Sequence, residues 1–148
     1  MYRFTSSGWP ELGHLWFWGN RSLRSIVVHI PPPYLSRLAM ISLRKSLSTI
    51  TSLTFSEFVL DLGSPLSESI QSHLDVNRWG NWDEVDRLLN GFLVRSPDFK
   101  LVIRAGGPYN RDEFRTQAKE RFPLIAGRDR IRFERSLAID KYQLSSWY

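Results

Sequence analysis

The change of hydrophobic period inside residues 81–104, NWDEVDRLLNGFLVRSPDFKLVIR, constrains this chain more than any other feature. Trp82, Val85, Leu88, Leu89, Phe92 and Leu93 recur at three- and four-residue steps, so one face of a helix is apolar. Asp83, Asp86, Arg87 and Asn90 fall on the opposite face, where solvent is expected. Asn81 can cap this helix with Glu84 three residues on, and Asp83 and Glu84 lie over the unbonded N–H groups of the first turn. Pro97 ends it. From Phe99 to Arg104 the period falls to two and the residues become β-branched, until Gly106, Gly107 and Pro108 stop the run. A helix followed by such a strand buries both apolar faces by folding one on the other. Leu101 and Ile103 then serve the core, and Val102 and Arg104 point away from it.

The same logic extends along the chain. The segment LGHLWFWGN, residues 12–20, fits L-x-x-L-x-L-x-x-N, the strand-and-turn pattern of leucine-rich repeats. Leu15 and Phe17 face inward there, and Trp16 and Trp18 outward. Leu23, Ile26 and Val28 repeat the spacing, as do Ile50, Leu53 and Phe55; Leu101 with Ile103 and Ile131 with Phe133 keep only the paired inward positions. Five strands are implied. Helical stripes lie between them at about 34–46, 65–74, 81–93 and 111–122. Strands separated by helices need crossovers, and crossovers make parallel sheets. The paired core positions are 11, 27, 48 and 30 residues apart, too uneven for a regular solenoid. The expectation is an α/β fold: an irregular leucine-rich-repeat-like curved parallel sheet with helices on the convex face and its concave strand face open. A compact sheet covered on both sides is the alternative, and would need apolar residues at the outward strand positions too.

A chain of 148 residues suits a single domain, 1–148, with residues 1–10 as an N-terminal cap or a disordered segment and 136–148 as a C-terminal tail. The absence of cysteine excludes disulfides, thiolate catalysis and cysteine-based metal sites. The first twenty residues lack the basic-then-apolar order of a signal peptide, and no run reaches the roughly 18 apolar residues of a membrane span, so a cytoplasmic or nuclear protein without membrane attachment is expected. His14, His29 and His73 are scattered, no metalloprotease or nucleophile-elbow spacing occurs, and Gly106-Gly107 precedes Pro108 rather than a phosphate-loop Lys. These patterns point to no enzyme, no metal and no cofactor. Residues 111–141 carry nine basic and six acidic residues, which accounts for three of the five net positive charges. The acids are interspersed, as on an ordinary solvated surface, so nucleic acid is the second reading and not the first.

NRWGNWDEVDRLL, then DFKLVIRA, then RDEFRTQAKERFPLIAGRDRIRFER resemble the C-terminal region of leucine-rich-repeat, F-box-like proteins of mushroom-forming basidiomycete fungi. The likeness covers about residues 79–135, with general repeat character at 12–60. It implies a non-enzymatic protein-interaction module, the substrate-recognition part of a ubiquitin-ligase adaptor. No F-box-like segment precedes the repeats, so a ubiquitin-ligase scaffold is an expected partner only of a longer product that carries one.

If the strand register holds, Trp16, Trp18, Val27, His29, Thr54, Ser56, Val102, Arg104, Arg132 and Glu134 share the concave face and form the candidate surface for an unidentified protein partner. Trp16 and Trp18 have a second explanation, packing under Tyr2, Phe4 and Trp9 as an end cap. The basic strand with Arg128, Arg130, Arg132 and Arg135 around Phe133 carries the alternative, a nucleic-acid surface.

Overall fold

The computed structural model describes residues 2–5, 20–29, 37–63, 82–106 and 112–136, with residues 2–5 and 37–40 as backbone only. The order is β1 (Tyr2–Thr5), β2 (Ser25–His29), α1 (Arg37–Ser48), β3 (Glu57–Asp61), α2 (Asp83–Arg95), β4 (Lys100–Ala105), α3 (Asp112–Arg121), α4 (Pro123–Gly127) and β5 (Ile131–Arg135). All five strands are parallel and lie side by side in chain order. Residues 2–5, in the segment expected as a cap or disordered, extend the sheet as β1 beside β2.

One layer of helices covers one face. Ile26, Val28, Phe58, Leu60, Leu101 and Ile103, alternate residues of β2, β3 and β4, form a single core with Leu43 and Leu47 of α1, Val85, Leu89 and Phe92 of α2, Phe114 and Ala118 of α3, and Ile125 of α4. The 81–104 unit forms as its periodicity requires, with α2 ending where Ser96 N–H donates to Phe92 C=O at 2.8 Å, just before Pro97. Two aromatic groups hold α2 at either end. Phe55, Phe92 and Phe99 meet with ring centroids 4.9 to 5.7 Å apart, and Trp82 packs edge-on against Phe122 at 5.3 Å. Leu89 and Leu101 are both fully buried in this one core. Leu89→Ala and Leu101→Ala are each expected to cost about 2–5 kcal/mol in urea unfolding. A near-zero cost at either would break the helix-on-sheet packing.

Three sequence expectations change. The strand expected at Ile50–Phe55 forms later, as Glu57–Asp61, because Phe58, Leu60 and Leu62 alternate into the core while Leu53 stays 75% exposed. The intervening residues are a loop tied to the start of β2: Ser52 Oγ donates to Leu23 C=O at 2.8 Å and Ser56 N–H to Arg24 C=O at 2.9 Å. Asp86 is not on a solvated face. It is 1% exposed, because its carboxylate caps α4, with Oδ2 accepting from Leu124 N–H at 2.9 Å and Oδ1 from Ile125 N–H at 3.2 Å. Ser136, assigned to a tail, is buried and bound to Asp61. The strand expected at 15–17, the helix at 65–74 and the cap at Asn81 lie outside the described residues; α2 begins after Trp82, which makes no side-chain capping bond.

Candidate functional site

The face of the sheet away from the helices is organised in cross-strand rows. Registration of β1 to β5 aligns Thr5, His29, Asp61, Arg104 and Glu134 in one row near the carboxyl ends of the strands. The next row is Arg3, Val27, Val59, Val102 and Arg132, and below it lie Ser25, Glu57 and Lys100. Two polar rows therefore flank one whose three central residues are valines. Val27, Val59 and Val102 are 2%, 0% and 1% exposed and form a small core of their own. Val27 and Val102, expected to meet a partner, are thus buried, and with Val59 they form one apolar row across the three strands. The open concave face does not extend to the centre of this sheet.

The upper row alternates basic and acidic side chains from His29 to Glu134. Arg104 Nε donates to Glu134 Oε2 at 3.2 Å, and His29 Nδ1 lies 3.8 Å from Asp61 Oδ1. The same Asp61 oxygen accepts from Ser136 Oγ at 2.7 Å and from Gly63 N–H at 3.0 Å. Gly63 has φ 75°, a left-handed turn that a side chain would strain, and so brings its N–H back to Asp61. Burial pushes the Asp61 carboxyl up, but His29, the Ser136 hydroxyl and the Gly63 N–H outweigh it and hold the carboxyl below its ordinary value of 3.8. The stabilisation this confers is complete above pH 3.8 and is lost as pH falls through the depressed folded value. Unfolding free energies of wild type and Asp61→Asn should therefore converge on acidification below about pH 4, having differed near neutrality. A constant difference across that range would refute the assignment.

Chemically, the row presents charges and does not assemble a nucleophile. Ser136 gives its proton to the aspartate and not to the imidazole, so the Ser-His-Asp order in which a histidine activates a hydroxyl is not formed. The lower row is likewise paired: Glu57 accepts from Ser25 Oγ at 3.3 Å and meets Lys100 Nζ at 3.4 Å. On the helical side, Arg44, Lys45, Ser48, Glu84, Arg87 and Leu88 line an open groove between α1 and α2, bridged by an Arg44–Glu84 ion pair whose hydrogen bond holds the Glu84 carboxyl below its ordinary value. Among the described residues, no cluster of three or more histidine, aspartate or glutamate side chains is arranged to hold a metal, and no helix is long and apolar enough to cross a membrane.

Of the expected surface residues, His29, Arg104 and Glu134 come together in the upper row, and Arg132 stands exposed beside it on β5. Thr54 and Ser56 do not join them. They sit in the loop before β3, where Thr54 Oγ1 donates to Leu23 C=O at 3.2 Å and Ser56 Oγ to Arg24 C=O at 3.4 Å. Trp16 and Trp18 lie outside the described residues. Asp61, the centre of the row, falls outside the strand that the Ile50–Phe55 spacing predicts; the alternation of Phe58, Leu60 and Leu62 before Gly63 carries the signal that marks it. Comparison with protein-family models, with curated proteins and with solved structures finds no match for this chain.

Proposed function

We propose that the chain is a non-enzymatic protein-interaction module of irregular leucine-rich-repeat type, acting in the cytoplasm or nucleus. The observation that carries this reading is the strand order. Among the described residues, five parallel strands follow one another without a reversal, and the helices pack on one face. A doubly wound sheet reverses its strand order and binds ligands in the crevice at the reversal; a singly wound sheet has no such crevice and offers a strand face instead. In the row of His29, Asp61, Arg104 and Glu134 the side chains of His29, Arg104 and Glu134 are partly accessible, and polar groups of both signs at such a row favour partner selection over raw affinity. The finer reading is substrate recognition for a ubiquitin-ligase adaptor.

The test is quantitative affinity capture on the tagged full chain, compared with His29→Ala and Arg104→Ala. Specific partners should fall by about tenfold or more, as expected for loss of one well-placed polar contact, with the native far-UV circular dichroism spectrum retained at the assay temperature. Recovery of a ubiquitin-ligase scaffold in the same capture supports the adaptor role. A capture profile indifferent to both substitutions removes the strand-face reading.

A further inference from the structure

We propose that the outer edge of β5 receives an extended segment of a partner protein as a sixth strand, a segment whose residues alternate between carboxylate-bearing and apolar. This goes beyond the strand-face reading, since the groups it uses first are backbone donors and acceptors at the sheet edge.

Leu101 N–H donates to Arg130 C=O at 2.9 Å and Ser136 N–H to Ala105 C=O at 3.1 Å, so the even-numbered residues of β5 turn their backbone groups toward β4. In a parallel ladder successive residues turn theirs to opposite sides, and those of Ile131, Phe133 and Arg135 therefore face away from the sheet. Among the described residues nothing pairs with that edge. An edge of this kind is a template for strand addition.

The side chains specify what the added strand carries. Arg128, Arg130, Arg132 and Arg135 are all exposed, and among the described residues none of the four forms an ion pair. Arg130 and Arg132 share the strand face, so the added residues beside them should be acidic. On the helical face, Ile131 and Phe133 are only half-buried, whereas their neighbours Leu101 and Ile103 are fully buried. Apolar residues of the incoming strand would complete their burial. The Phe133 ring is meanwhile flanked by the Arg115 guanidinium at 5.6 Å and the Lys119 ammonium at 6.0 Å, which adds positive charge on that side as well. A second copy of this chain fits poorly, because two β5 edges would set arginines against arginines. Nucleic acid would use the charge but not the alternation of backbone donors and acceptors.

The experiment titrates the full chain with a fluorescein-labelled peptide of about eight alternating Asp and Val residues, a length suited to one strand. Its controls are the same peptide N-methylated at alternate residues and an oligo-dT. Saturable binding is expected, with slowed hydrogen exchange at the amides of Ile131, Phe133 and Arg135. Binding should weaken about tenfold or more on combined Arg130→Glu and Arg132→Glu substitution, and vanish on N-methylation, which keeps the charge but blocks the backbone bonds. The N-methylation arm stands even if the double variant unfolds. Binding that survives N-methylation, an oligo-dT that protects the same amides, or amides already protected in the protein alone would each overturn the proposal.

Discussion

Trp82→Ala is expected to lower the unfolding free energy by about 3–5 kcal/mol, the range for emptying a large aromatic site in a core. Trp82 is 1% exposed and meets Phe122 edge-on, an arrangement with its own attraction beyond area burial. It also opens α2, accepting the Asp86 N–H on its carbonyl at 2.9 Å. One ring thus joins the start of α2 to the junction between α3 and α4. Against the roughly 5–15 kcal/mol that holds a typical domain together, the loss should unfold a measurable share of the protein at physiological temperature. Urea unfolding followed by circular dichroism provides the measurement, with Leu53→Ala, at an exposed loop position, expected within about 0.5 kcal/mol of wild type. Equal effects at the two positions would mean that Trp82 does not link these elements.

The second large effect is expected at Asp86. The short helix α4 begins at Pro123, and its preceding residue, Phe122, has no side chain able to accept the free N–H groups of the first turn. Asp86 supplies both acceptors from α2. Asp86→Ala leaves the buried N–H of Ile125 without a partner, at about 1–3 kcal/mol, and the part-buried N–H of Leu124 at a smaller cost. Asp86→Asn keeps one acceptor and turns an amide donor toward the other N–H, so its cost should be intermediate. Burial pushes the Asp86 carboxyl above its ordinary value, with the two N–H donors countering in part. Ordering Ala, Asn and Asp by urea midpoint tests this; an Asn variant as stable as wild type would mean that a single acceptor suffices.

These two residues show how differently sequence information reached the structure. The apolar stripe of α2 is local, since side chains three and four apart must share a face of any helix, and its packing on Leu101 and Ile103 follows from their period of two. Asp86 could not be read that way. In the helical pattern it occupies a polar position, and only the approach of α4, far along the chain, turns it into a buried cap. Glu57–Asp61 was hidden for another reason: the spacing of Ile50, Leu53 and Phe55 matched a repeat pattern, but hydroxyl bonds from Ser52, Thr54 and Ser56 to the chain before β2 make those residues a loop.

For the candidate site, local pattern was enough to place His29, Arg104, Arg132 and Glu134 on the side of the sheet away from the helices, because alternation along a strand is a property of the backbone. Which of them meet, and which outward residues are covered, was decided only by the register between strands far apart in sequence. That register brought Asp61 between His29 and Arg104 and aligned Val27, Val59 and Val102 into a buried row. The sequence by itself determined the parallel α/β class and the core face of most described strands, through periodicities that each segment carries alone. The tertiary structure decided the order of strands, the charged row and the edge of β5 that no described residue pairs with, since each of these is a relation between segments and no single segment contains it.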